Sequence, residues 1–149
     1  MSDSMFVAGT AELCRKAVEF QDESVYFYVF EHFYSGMMGY LTPYMAFSGA
    51  THTCELFYLF KKGLLIEPEL TDTELRVMDL FTTALTNFAK YGDPNGTNSA
   101  STKLPVPWKP ISKQNPRLNY VFTSDDPRMD DELFEGRTKA FIEIRNKHK

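Results

Sequence analysis

The sequence lacks what several large protein classes require. No apolar run approaches the roughly 18 residues of a membrane span; the longest, Val25–Phe30, is strand-sized. Two cysteines, Cys14 and Cys54, are too few for a disulfide framework and stand in no C-x-x-C spacing, so each reads as a free buried thiol. There are three histidines, and His52 with Cys54 two positions on is not a zinc-ligand pattern. Gly36 and Gly39 show neither G-x-G-x-x-G nor G-K-[ST] spacing, which argues against a phosphate loop. The net charge of −4, with no clustered basic stripe, argues against nucleic acid and against an anionic membrane surface. Met1-Ser2-Asp3-Ser4 carries no basic region and no long apolar stretch, so no secretory signal is visible.

What remains is a globular composition. The 149 residues suit one domain, and 43% apolar with 15% aromatic residues is too rich in core-forming side chains for a disordered segment. Asp3 to Glu19 places Phe6, Thr10, Leu13, Cys14, Ala17 and Val18 at helical spacing, with Ser2, Asp3 or Ser4 available as a cap. Val25-Tyr26-Phe27-Tyr28-Val29-Phe30 is continuously β-branched or aromatic, as in a strand buried on both faces. A helix followed by such a strand is a piece of a helix-covered parallel sheet, so the fold class read here is α/β.

Tyr34 to Gly49 shows no clean period and reads as a long loop, the kind of place where α/β proteins put ligands and chemistry. His52 to Phe60 reads as a short helix ended by Lys61-Lys62-Gly63. The clearest helix is Thr71–Tyr91: Thr71 and Glu74 form a capping-box pair, Gly92 supplies the stop, and Leu75, Met78, Phe81, Leu85, Phe88 and Ala89 make an apolar face. Gly92 to Gly96 is a turn by composition, and the prolines around Trp108 indicate a stiff extended connection. Leu118–Phe122 is a short strand candidate, and Met129–Asn146 reads as a last helix.

Of the histidines, His148 lies in a charged tail and His32 reads as a hydrogen-bonded strand-end residue. His52 follows the long loop and has two readings: a structural residue, or a general base for a hydroxyl nucleophile. That nucleophile is missing. A serine on a strained strand-to-helix elbow needs G-x-S-x-G. Ser48 is flanked at those positions by Ala46 and Ala50, and Ser35 by Phe33 and Met37, so neither fits.

Gly49-Ala50-Thr51-His52-Thr53-Cys54-Glu55-Leu56 resembles the G-x-x-H-x-x-E-L signature of type-B carboxylesterases, the family that includes cholinesterases. Other segments agree in order. Ser24–His32 is similar to the family's V-Y-L-Y-x-F-x-H strand, and Thr86–Asn95 resembles its W-x-N-F-A-x-x-G-D-P-N run. Leu104-Pro105 with Trp108-Lys109-Pro110 is similar to its L-P-x-W-x-P stretch. Two departures concern packing: Thr53 stands where the family often has Gly or Ala, and Thr86 where Trp is common.

The resemblance implies that His52 is the triad histidine and Glu55 a buried carboxylate that supports it, with no metal or organic cofactor. It implies the C-terminal part of an α/β-hydrolase fold: one or two core strands with flanking helices, in an incomplete sheet. The triad of that fold runs Ser…Asp/Glu…His along the chain. The serine, the acid and the oxyanion-hole glycines are therefore expected in a missing N-terminal esterase portion, the ester substrate belongs to the full-length parent, and this chain alone is expected to be inert. The alternative is a non-catalytic esterase-like interaction module. The open strand edge invites association in either case. Asn95-Gly96-Thr97 is a glycosylation sequon in a surface loop, with meaning in a secreted or endomembrane parent.

Overall fold

The computed structural model describes residues 6–34, 44, 49–61, 69–98, 101–134, 136, 143–144 and 147. Among them are helices α1 (Ala8–Phe20), α2 (Cys54–Phe60) and α3 (Asp72–Tyr91), and strands β1 (Tyr28–Phe30), β2 (Asn119–Phe122) and β3 (Arg128–Asp130). The strands form one sheet in the order β1-β2-β3. Tyr120 N–H donates to Phe27 O at 2.9 Å, while Glu31 and His32 N–H both donate to Phe122 O. Partners thus advance together along β1 and β2, which makes the pair parallel, as the α/β reading requires. β2 and β3 are joined by residues 123–127, too short a link for a crossover, so that pair is antiparallel. Among the described residues the sheet has three strands, against the one or two expected.

By its contacts the chain divides into two units. The first comprises Met1–Tyr28, Trp108–Tyr120 and Met129–Lys149. Its core centres on Trp108, whose indole Nε1 donates to Phe27 O at 3.2 Å. Tyr26 and Tyr28, two apart and so on one face of the extended chain, each meet Trp108 edge-on with ring centroids 5.9 Å apart. The Pro-rich run keeps Trp108 and Ile111 buried while Pro110 stays exposed, which is the work of a stiff extended connection. Asn119 is buried, and its Nδ2 donates to Arg117 O at 3.0 Å and Asp130 O at 3.1 Å, tying β2 to the end of β3.

Two expectations change in this unit. α1 is preceded by Phe6 and Val7 already in helical conformation, the expected cap residues Ser2, Asp3 and Ser4 lie outside the described residues, and the helix buries Ala8, Ala11 and Cys14. Leu13, placed by periodicity on the core face, is 67% exposed; the small residues win the contact face because they allow close approach. The last helix does not start at Met129. Residues 128–130 are β3 and 131–134 turn, with Phe134 (φ 51) and Gly136 (φ 77) left-handed. Acidic residues at a helix start are equally at home in a turn, where Asp130 Oδ1 accepts the Glu132 N–H at 3.0 Å. Glu143, Ile144 and Lys147 are helical, and most of the remainder of that expected helix lies outside the described residues.

The second unit, Val29–Pro107 with Val121–Arg128, is built on aromatic packing. Phe81 of α3 is fully buried, with ring centroids 5.2 Å from Phe30 of β1 and 5.1 Å from Phe122 of β2. Tyr58 of α2 joins the cluster, 5.1 Å from Phe30. α3 runs as the sequence predicts, from an N-cap at Thr71 to a left-handed Gly92 (φ 70) whose N–H closes on Phe88 O. Its buried face differs. Glu74, Val77, Phe81, Ala84 and Asn87 are inside, whereas Leu75 is 47% and Phe88 44% exposed. The true contact stripe carries a polar residue at each end, and each is satisfied: Asn87 Nδ2 donates to Ser101 O at 2.8 Å, and Glu74 is described below.

Phe81→Ala removes the ring shared by α3 and both strands. It is expected to cost about 3–4 kcal/mol in urea unfolding; a loss below about 1 kcal/mol would contradict the central place given to this ring.

Candidate functional site

The residues singled out in the sequence fall around α2. His52 and Thr53 form a turn that leads into the helix, and both are exposed. Cys54 N–H donates to Thr51 O and Leu56 N–H to Thr53 O, each at 3.1 Å, so the turn is bonded on either side of His52. Glu55 sits in the first turn of α2 and is half-buried rather than buried, next to a helix N-terminus that favours negative charge. Tyr40 and Phe47, aromatic residues that could line a pocket or pack in the core, lie outside the described residues. Phe57 is buried, as core packing predicts.

Thr53 has φ 70 and ψ 4. A β-branched side chain in the left-handed region is strained. This is the position where the resembling family often carries Gly or Ala, and the backbone gives the reason: glycine reaches this conformation without steric cost. The helix also ends on a left-handed residue, Lys61 (φ 53), before the expected glycine stop.

Beneath α2 lies a buried polar contact that the residue pattern only partly signals. His32, at the end of β1, is buried, and its Nε2 lies 3.2 Å from Glu74 Oε1 of α3. Thr71 Oγ1 donates to the other Glu74 oxygen, Oε2. The Thr71–Glu74 pair thus joins side chain to side chain instead of capping the backbone, and Glu74 points into the core. Tyr58 packs edge-on against His32, with centroids 5.4 Å apart. Its hydroxyl has no hydrogen-bond partner among the described residues. Burial, reinforced by the Glu74 carboxylate, pushes the phenol well above its ordinary range.

Both thiols are free and buried. Burial raises each, and the Glu55 charge adds to the effect at Cys54, which is pushed up to about 11. Cys54 is therefore a protonated, inert packing group at neutral pH and no partner nucleophile for His52. Among the described residues no group of three or more His, Cys, Asp or Glu is placed to hold a metal ion. No helix among them is long and apolar enough to cross a membrane. An open groove of about 660 Å³ is lined in part by Arg76, Asp79, Lys103, Ser124 and Asp125, and none of the candidate residues faces it. Its cations are engaged, Arg76 with Ser124 O at 3.0 Å and Lys103 with Asp79 at 2.5 Å.

Two outcomes follow from this geometry. Relieving the left-handed strain, Thr53→Gly is expected to raise the thermal midpoint by the equivalent of about 1 kcal/mol, the strain relief exceeding the entropy cost of glycine; a lowered midpoint would count against it. For Cys54, the folded thiol keeps its proton above the ordinary value of 9.0 while the unfolded one loses it. Its contribution to stability is complete below pH 9 and disappears as pH rises through about 11. Denaturant midpoints measured at intervals from pH 8 to pH 11 should fall in that window, and less so in Cys54→Ala.

Comparison with known proteins places these features. Residues 1–141 match the carboxylesterase family. The chain is 34% identical over 144 residues to esterase cest-33 of Caenorhabditis elegans, covering 97% of this chain and 25% of that protein. It is 31% identical over 110 residues to a cholinesterase of Mus musculus, covering 71% of this chain and 17% of that one. Among solved structures, juvenile hormone esterase from Manduca sexta, with OTFP covalently attached, superposes with a TM-score of 0.73 at 23% identity, over 97% of this chain and 27% of that one. The Geobacillus stearothermophilus carboxylesterase EST55 gives a TM-score of 0.53 at 23% identity, over 78% of this chain and 21% of that one. The chain thus spans about a quarter or less of the curated relatives it matches. Its fold is part of an α/β-hydrolase fold, an incomplete sheet with flanking helices, and it belongs to the carboxylesterase family.

Proposed function

We propose that this chain is the C-terminal segment of a serine carboxylic-ester hydrolase and supplies its catalytic histidine, His52. The observation that carries the reading is the G-x-x-H-x-x-E-L run, in a chain matching the carboxylesterase family over residues 1–141. The exposed turn that holds His52 at the head of α2 is compatible with a ring that must meet groups from elsewhere. In that role His52 takes the proton of the attacking serine as acylation begins and returns it to the leaving alcohol. Glu55, in the first turn of α2, acts as a positioning carboxylate. The 149 residues contain no G-x-S-x-G, so the serine, the acid and the oxyanion hole come from a preceding portion of the esterase domain. Without an alcohol to activate, the chain by itself has no covalent catalysis.

The test is hydrolysis of chromogenic acetate and butyrate esters. Purified chain is expected to show no turnover above buffer. Joined to the coding sequence upstream of Met1, it is expected to turn over ester, and His52→Ala should then lower kcat on the order of 10⁵-fold or more. Turnover by the isolated chain, lost in His52→Ala, would sink the claim of inertness. An active longer protein unaffected by His52→Ala would sink the claim about the histidine.

A further inference from the structure

The burial of α1 is inverted. The helix turns the small residues Ala8, Ala11 and Cys14 to the core. Its large apolar residues stand outside: Phe6, just before the first turn, Leu13 and Phe20 are 46%, 67% and 84% exposed. Each is seven positions from the next, and two helical turns bring such positions to within about 20° of one another. They make one apolar stripe on the side away from the core, and water is the only thing the fold sets against Leu13 and Phe20 over most of their surface.

The stripe is symmetric along the chain, with a phenylalanine seven residues to either side of Leu13. A second α1, laid antiparallel about a twofold axis at Leu13, sets Leu13 against Leu13 and each Phe6 against the other copy's Phe20. Gly9, Thr10 and Ala17 border the stripe with small side chains that let two helices approach. A Cβ built at Gly9 would meet nothing within 4 Å, so that border is open.

The charges fit the same arrangement. Glu12 and Lys16 lie on one flank of the stripe, and Glu19, further round that flank, pairs with Arg15 of its own helix. The twofold axis brings Glu12 of each copy level with Lys16 of the other, offset by about 3 Å along the helix. Opposite charges thus meet across the contact at two symmetric places. A parallel pair would set that flank against Thr10 and Ala17 and leave the charges unmatched.

We propose that the outer face of α1 is a self-association surface, which pairs antiparallel with α1 of a second copy of this chain about a twofold axis at Leu13. A contact made by one helix from each copy is small, so the dimer is a weak one.

Sedimentation velocity and light scattering of the 149-residue chain across the micromolar range test it. The expected result is a monomer–dimer equilibrium that stops at the dimer. Leu13→Glu puts two carboxylates on the axis and is expected to weaken association at least about tenfold. The position faces solvent, so circular dichroism should be unchanged. Glu12→Lys and Lys16→Glu are each expected to weaken the dimer. The double variant should restore it, because both cross-copy pairs are rebuilt with their signs exchanged. A chain that stays monomeric overturns the proposal, as does growth past the dimer into open assemblies. A dimer indifferent to Leu13→Glu, or single reversals that the double variant does not repair, overturns it too. No readout involves ester turnover, so this inference and the hydrolase reading stand or fall separately.

Discussion

The second unit depends on one packing arrangement: the Phe81 ring set between Phe30 and Phe122. Those three side chains belong to α3, β1 and β2, so one aromatic contact fixes a helix against two parallel strands. Tyr58 extends the cluster to α2, and α2 carries the turn on which His52 sits. The candidate catalytic residue is therefore tied to the sheet through aromatic rings. Rings of this size bury large areas and lose few rotamers in doing so. An exposed histidine in the turn before a seven-residue helix has little local stability of its own, because a helix that short is marginal without tertiary packing.

Beside the rings lies the buried His32–Glu74 contact, and it answers a problem the packing creates. β1 ends inside the unit, and a polar residue at that end must be paired. Glu74 is available because the core-facing stripe of α3 begins with it, and Thr71 holds its second oxygen. The Tyr58 hydroxyl next to the pair has no hydrogen-bond partner among the described residues.

The sequence made some of this legible and hid the rest for identifiable reasons. The length and stop of α3 were readable because the Thr71–Glu74 pair at its start and the left-handed Gly92 at its end act locally. Its buried face was not. Hydrophobicity alone selects Leu75 and Phe88, while the actual stripe runs through Glu74 and Asn87, whose partners are distant in the chain. Leu13 misled for the same reason: a periodic apolar residue on a partly exposed helix carries no label saying which side meets the core. The unbroken apolar run at Val25–Phe30 pointed to a strand of a parallel sheet but not to its partner, and it overstated the burial: the strand is Tyr28–Phe30 and those residues are half-buried. β3 was hidden because Asp130 and its acidic neighbours suit a helix start and a hairpin end equally well. At the candidate site, the position of His52 was marked by a motif, but the strain at Thr53 was not. Only backbone geometry explains why a glycine or small residue is usual there.

The bond from Trp108 to the Phe27 carbonyl spans 81 positions of the chain. Contacts of such long sequence separation are slow to form, because the intervening loop must be closed before they are made. During vector-wise synthesis on the ribosome, Tyr26, Phe27 and Tyr28 emerge well before the indole that covers them. Until then this aromatic segment is a sticky surface suited to a chaperone, and the Pro-rich stretch around Trp108 acts as a late clasp that ends that exposure.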